Sequence, residues 1–377
     1  MITALGDPVK ILVLFLSMTV LSIFLDETGF FKYLADTVLR HIHGGQIKLF
    51  TAFYALTTFV TIFTSNDIII LTFTPFICYF TKNAGINPVP YLVSGFVAAN
   101  TCSMLLIIGN PTNIYLGTAA GIGFLEYLRI MIIPTVFAVV TAYVVMLLLF
   151  RKMLLVPIKA TGDNAPSPTE NVITSRTLLV GSFTILITCT IILAISTYIG
   201  LEMWYVALTA ACVLILFAGV FYWCVKKRPT EILHTAKRTP WVLVPFLLTM
   251  FIIVWAFEKW GVTGWLWSLF GTRAPIATYG ILSTLVANIM NNIPMSVLFA
   301  SIQSGGAPHS AVYASIIGSN IGAFLTPFGA LAGLMWLSIL KRNGIKFGFA
   351  RFLYYGVIIA VPVLAMSLVG LKLYYLI

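Results

Sequence analysis

The chain has 377 residues, of which 60% are hydrophobic and only 9% charged, with a mean hydropathy of +1.02. Soluble domains carry roughly 25% charged residues, so a soluble globular protein is excluded, and long unbroken apolar blocks exclude a membrane β-barrel, which would show short alternating ones. The 22 Lys and Arg against 11 Asp and Glu give a net charge of +11, but the basic residues gather in a few short connections, which is the positive-inside pattern of a multi-pass plasma-membrane protein rather than a nucleic-acid footprint.

An all-α polytopic protein remains, since each span needs about 20 apolar residues. In chain order, Ile11–Leu25 predicts a first span. Leu49–Thr81 is interrupted by Ser65-Asn66-Asp67 and reads as a hairpin. Asn83–Leu125 lacks formal charge but contains Gly109-Asn110-Pro111-Thr112-Asn113, where Pro removes an N–H and Gly relaxes the backbone, so a helix must unwind there. Ile130–Phe150, Thr177–Ile199, Met203–Val225, Thr239–Phe257 and Phe352–Leu371 each predict a span. Ala274–Leu340 is too long for one helix and is broken at Asn288-Ile289-Met290-Asn291-Asn292 and at Gly318-Ser319-Asn320. Placing Arg151–Arg176, Lys226–Arg238 and Lys341–Arg351 in the cytoplasm, with Lys32, Arg40 and Lys48, gives a consistent orientation.

The chain carries an internal repeat. One spacing pairs Pro8 with Pro240, Asp26 with Glu258 and Gly29 with Gly261; a slightly shorter one pairs Asn100 with Asn320 and Gly109 with Gly329. Because Ile11–Leu25 and Thr239–Phe257 run in opposite directions under this orientation, the repeats are expected to be inverted. Residues 1–150 form the first repeat, 151–176 a cytoplasmic linker and 177–377 the second. Thr177–Ile199 and Met203–Val225 precede the second core and have no counterparts ahead of the first. The N-terminus shows no basic n-region and predicts no cleaved signal peptide.

Irregular backbone at membrane depth survives only where protein buries it or it lines a cavity, and inverted repeats with broken helices are the usual build of secondary transporters. The candidate substrate groups are therefore Ser65, Asn66, Asn100, Thr101, Asn110, Thr112, Asn113, Asn288, Asn291, Asn292, Ser319, Asn320 and Thr326. Asp67 is the one acidic residue deep in an apolar block. An intramembrane carboxylate marks an ion or proton path; the competing role is an N-cap for a helix starting at Ile68. Cys102 and Cys78 could meet a soft metalloid, although a buried cysteine is ordinarily an apolar filler. Cys189, Cys212 and Cys224 form no CxxC pair with these, and His41, His43, His234 and His309 have no ligand spacing, so no metal site or cofactor is expected. An intramembrane aspartyl protease needs two carboxylates close together, so no enzyme is expected either.

Phe24-Leu25-Asp26-Glu27-Thr28-Gly29-Phe30-Phe31, the Asn66-Asp67 tip, Asn291-Asn292-Ile293-Pro294, and Ile317-Gly318-Ser319-Asn320 followed by Leu325-Thr326-Pro327-Phe328-Gly329-Ala330-Leu331 resemble the arsenite/antimonite efflux permeases of the ion transporter superfamily. The resemblance runs from about Asp7 to the C-terminus. It implies export of trivalent arsenic and antimony hydroxides, coupled to proton entry or to a cytosolic ATPase subunit, with substrate held between the hairpin tips and the unwound segments. The chain departs from the family at Ala323-Phe324, where many members have Pro-Lys, and Gly109–Asn113 is closer to the superfamily's antiporters and anion permeases. A Na+/H+ antiporter and a small-anion or dicarboxylate permease are the alternatives.

Overall fold

A computed structural model describes residues 8–40, 45–157, 173–271 and 273–376. Most of the 151–176 linker, with His41 and His43, falls outside them. The described residues are helical, with no strand among them. In chain order the helices are α1 (Pro8–Glu27), α2 (Phe30–Arg40), α3 (Gln46–Ile62), α4 (Asn66–Asn83), α5 (Val89–Cys102), α6 (Pro111–Ala119), α7 (Phe124–Leu154), α8 (Arg176–Ser196), α9 (Met203–Val225), α10 (Thr230–Arg238), α11 (Leu243–Lys259), α12 (Val262–Phe270), α13 (Pro275–Met290), α14 (Asn292–Gln303), α15 (His309–Gly322), α16 (Leu331–Arg342) and α17 (Phe349–Tyr374). The six predicted single spans are all present as α1, α7, α8, α9, α11 and α17, and the three long blocks are broken where the polar residues stand. Arg151–Leu154, placed in the linker by sequence, continues α7.

Burial explains why this arrangement suits lipid. On α7 the buried positions Tyr127, Met131, Pro134, Ala138, Ala142, Met146 and Phe150 recur every three or four residues, as one helix face requires. The opposite face is exposed and equally apolar, with Ile132, Val136, Val140, Val144 and Leu148. Only a hydrocarbon solvent leaves such a face at ease. By contrast α5 is buried on every side, and α15 is buried from Ser310 to Gly322; these two helices of 14 residues each are the centre of the bundle.

The elements recur in order: a long helix and a short one (α1–α2, α11–α12), a hairpin (α3–α4, α13–α14), a buried helix that breaks (α5–α6, α15–α16) and a long closing helix (α7, α17). The second halves of the broken helices cross over, α6 packing on the α14 hairpin arm and α16 on the α4 arm. The closing helices α7 and α17 pack against each other antiparallel: Phe150 meets Tyr355 at 5.2 Å between ring centroids, while Gly370 lies against Pro134 and Phe137. Helices α8, α9 and α10 pack on α1.

Candidate functional site

The first break spans Ser103 to Asn110. Asn110 is the N-cap of α6, its side chain accepting from Thr112 N–H, with Pro111 following in the first turn, a pairing that stops one helix and starts another. Asn113 Nδ2 donates back to the Ser103 and Leu106 carbonyls at 2.9 and 3.2 Å, so the side chain supplies the bonds the unwound backbone lost. Gly109 N–H donates to Leu106 O, and a Cβ at Gly109 would lie 2.1 Å from Ser103 O. The second break repeats this turn: Gly329 N–H donates to Thr326 O, and a Cβ there would lie 2.2 Å from Gly322 O. The pairing of Gly109 with Gly329 that the sequence suggested is therefore a pairing of backbone geometry.

Asn320 joins the two halves. It is fully buried on α15, and its Nδ2 donates to Asn113 Oδ1 at 2.7 Å and to Ile316 O at 2.8 Å. Its Oδ1 accepts from Ser103 Oγ at 3.0 Å and from Asn110 Nδ2 at 3.1 Å. Both donors and both lone pairs of the amide are thus used. The neighbouring Ser319 Oγ donates to Thr112 Oγ1 at 3.0 Å. Ser103 shares its single hydroxyl proton between Asn320 and the Asn100 carbonyl. Asn100, also fully buried, donates from Nδ2 to Phe96 O, as Asn320 does to Ile316 O, and its Oδ1 accepts from Asn66 Nδ2 of the first hairpin tip at 3.0 Å. One chain of bonds therefore runs from Asn66 through Asn100, Ser103, Asn320, Asn110 and Asn113, with Thr112 and Ser319 beside it.

The second break is held separately. Asn288 on α13 donates to Thr284 O and Gly322 O and accepts from Thr326 N and Thr326 Oγ1, at 3.0 and 2.6 Å, which again saturates an amide. Asn291 caps α14 with φ 78° and ψ 154°, a strained backbone region that side-chain-bearing residues rarely occupy, while its Nδ2 donates to Phe328 O. Asn292 N–H donates to Gly329 O.

Two candidates are placed differently from the rest. Thr101 directs its hydroxyl to Val97 O and Ala98 O of its own helix and does not join the network. Asp67 is not the cap: α4 begins one residue earlier, at Asn66, and the Asp67 N–H is taken by Asn66 Oδ1. The Asp67 side chain is half-buried in the first turn of α4, with no hydrogen bond or ion pair to its carboxylate among the described residues. Ser65, just before it, is buried and lines a small cavity with Thr64, Thr19, Ser22 and Ile108. Cys102 and Cys78 are both buried thiols, and among the described residues no His, Cys, Asp or Glu cluster is arranged for a metal. Sequence reasoning missed Ser103, because a lone serine in a membrane helix carries no signal. It placed Asp26 at the end of the first span, where α1 does close at Glu27, but did not see that the residue is buried.

Comparison with known proteins gives the family. The sequence profile of the citrate transporter family matches residues 3–318. The arsenical pump membrane protein of Escherichia coli (strain K12) is 30% identical over 386 residues, covering 95% of this chain and 85% of the relative. An arsenical pump membrane protein of Yersinia enterocolitica is 28% identical with the same coverage. The 46 kDa membrane protein of Mycobacterium leprae (strain TN) is 26% identical, covering 97% of this chain and 86% of the relative.

Proposed function

This chain belongs to the citrate transporter family, alongside the arsenical pump membrane proteins, and is a multi-pass membrane transporter; from that premise we propose that it exports trivalent metalloid hydroxides, driven by protons entering through Asp67. The observation that carries this reading is the make-up of the buried network: Asn66, Asn100, Ser103, Asn110, Thr112, Asn113, Ser319 and Asn320 offer only neutral amides and hydroxyls, with no Lys or Arg among them. Arsenite is a neutral trihydroxide near pH 7, able to exchange hydrogen bonds with such groups and needing no fixed cation. Because Asn320 is saturated, an entering solute must displace Ser103 or Asn110 from it, so binding and loosening of the first break are one event. Asp67, a carboxylate without a partner beside the first tip, is the coupling group on this reading.

Two inverted repeats, 1–150 and 177–377 joined by the linker 151–176, are part of the proposal. The recurring element order and the antiparallel packing of α7 on α17 support them, since equivalent helices of parallel repeats would run the same way. Alternating access then comes from rocking one half against the other.

The citrate transporter profile favours a second reading, an anion permease. The N-termini of α4, α6, α14 and α16 open at the breaks and tips, and helix N-termini carry positive partial charge. Everted vesicles under an imposed pH gradient, supplied in parallel with arsenite, Na+ and citrate, each with and without a cytosolic ATPase, separate these readings. Arsenite accumulation alone is expected. Citrate accumulation would replace the metalloid reading, Na+-driven pH change would favour an antiporter, and arsenite uptake that appears only with a cytosolic ATPase would remove protons as the driver. Asp67→Asn keeps the local shape and is expected to lose pH-driven accumulation while arsenite exchange across equal pH survives; unchanged accumulation would take Asp67 out of the coupling role.

A further inference from the structure

A buried carboxylate lies at the opposite end of α1 from its N-terminus. Asp26 is 7% exposed. Its Oδ2 accepts from Thr72 Oγ1 of the first hairpin at 2.8 Å and lies 2.7 Å from Arg238 Nη1 of α10. Its Oδ1 is buried and has no hydrogen-bond partner. A buried carboxylate oxygen left unsatisfied is costly, and one held inside a membrane protein with an arginine beside it calls for an explanation.

Its surroundings supply one. Thr19, Ser22 and Asp26 are spaced three and four residues apart, so they share one face of α1, and all three are buried. Thr19 and Ser22 line a small cavity together with Thr64 and Ser65 of the first tip, Ile108 of the first break and the apolar Phe15, Met18 and Phe63. Asp26 is one turn, about 6 Å, further along that face. Thr72, its hydrogen-bond donor, lies a turn and a half along α4 from Asp67. A polar stripe thus leads from the site to an ion pair at the end of α1.

Other charged groups around Asp26 are accounted for. Arg238 also pairs with Glu27, and His234 Nδ1 of α10 lies 3.2 Å from Glu27 Oε2. Glu231 of α10 is buried and accepts from Thr230 Oγ1. Lys32 of α2, Arg176 opening α8 and Lys226 ending α9 are exposed. Asp67 is the acidic residue of α4, α6 carries no charge, and Glu258 and Lys259 stand at the far end of α11.

We propose that Asp26 is a second proton-exchange carboxylate, at the inner end of the route that starts at the first hairpin tip, and that Arg238 is the built-in cation that takes the proton's place. A proton arriving along the stripe binds an Asp26 oxygen, the bond from Arg238 Nη1 to that carboxylate breaks, Glu27 is left as the acidic partner of Arg238 on α1, and the hold of α10 on α1 weakens. Release of the proton to the cytoplasm lets Arg238 return. The assignment rests on the proton-coupled reading above, but part of its test does not.

Hydrogen–deuterium exchange of residues 230–238 in the full-length protein in nanodiscs, normalised to the intrinsic rate at each pH, needs no solute. In the unmodified protein acidification is expected to lower α10 protection about tenfold or more. Asp26→Asn is expected to show low protection at every pH, and Asp26→Glu to retain the pH dependence. Glu27→Gln and His234→Gln, which remove the other titratable partners, are also expected to retain it. A pH dependence that survives Asp26→Asn, or that vanishes with Glu27→Gln or His234→Gln, overturns the assignment whatever the transported solute. In vesicles, Asp26→Asn is expected to lose pH-driven arsenite accumulation and keep arsenite exchange at equal pH. Full accumulation in Asp26→Asn, or loss of exchange in a variant that melts normally, overturns the coupling role.

Discussion

At the first break the bonds that replace lost helix structure come partly from the other half of the chain, through Asn320 and Ser319. At the second they come from the same half, through Asn288 and Asn291. The backbone turns are the same, Gly109 matching Gly329 in hydrogen bond and in close approach. What differs is where the amide that closes the turn is anchored. In lipid, where apolar burial gives helices no mutual attraction, interhelical hydrogen bonds and close packing carry the association. On the proposed rocking of one half against the other, a break closed from across the molecule would loosen, whereas a break closed from its own hairpin would travel with it.

The sharpest way to break this comparison is to remove its common part. Gly109→Ala and Gly329→Ala each drive a Cβ into a backbone oxygen, and overpacking of this kind costs about 3 kcal/mol or more when neither side can yield. Both variants are expected to lose folded yield and melting temperature to a similar degree, read by fluorescence-detected size exclusion and thermal denaturation. Tolerance of one but not the other would show that the turns are not equivalent.

Next in size is the contrast between the two amides. Asn320→Ala leaves Ser103, Asn110 and Asn113 short of partners, at about 1–3 kcal/mol for a buried group left unsatisfied, so transport affinity is expected to fall by about tenfold to a hundredfold. Asn288→Ala disturbs one half alone and is expected to lower thermal stability more than affinity. Equal losses of affinity from both would erase the distinction. Asn100→Ala, which releases the first tip, is expected to fall between them.

The smallest effect is expected from Cys102→Ser. The thiol is buried one residue beyond Thr101, and a network of amides and hydroxyls has no need of it. Arsenite transport close to that of the unmodified protein is expected; its abolition, with both asparagine variants active, would mean that a thiol recognises the solute and would undo the contrast between the breaks.

Much of this was legible in the sequence because lipid makes polar residues conspicuous. Asn66, Asp67, Asn110, Asn291 and Asn320 stand in otherwise apolar runs, and each marks a tip, a cap or the joint between halves. The equivalence of Asn100 and Asn320 was also readable, and both bond to a carbonyl one turn back. What their remaining oxygens meet was not, since Asn66 and Ser103 approach through tertiary packing. Thr101 was singled out and Ser103 was not, yet a two-residue step turns a side chain from its own helix toward the break. The pairing of Asp26 with Arg238 escaped notice for a different reason. One ends a span and the other sits in a basic loop, where each seems already explained.

The clasp on α1 also bears on how the protein is made. Glu27 and Arg238 are 211 residues apart, and α8, α9 and α10, which pack on α1, all begin at residue 176 or later. At ribosomal speeds of about 5–20 residues per second, roughly 10–40 s pass between the emergence of α1 and that of its arginine. During that interval a helix with a carboxylate near its end sits in the bilayer without its partner. Until Arg238 arrives, the contact available to that carboxylate from the earlier part of the chain is Thr72 of α4.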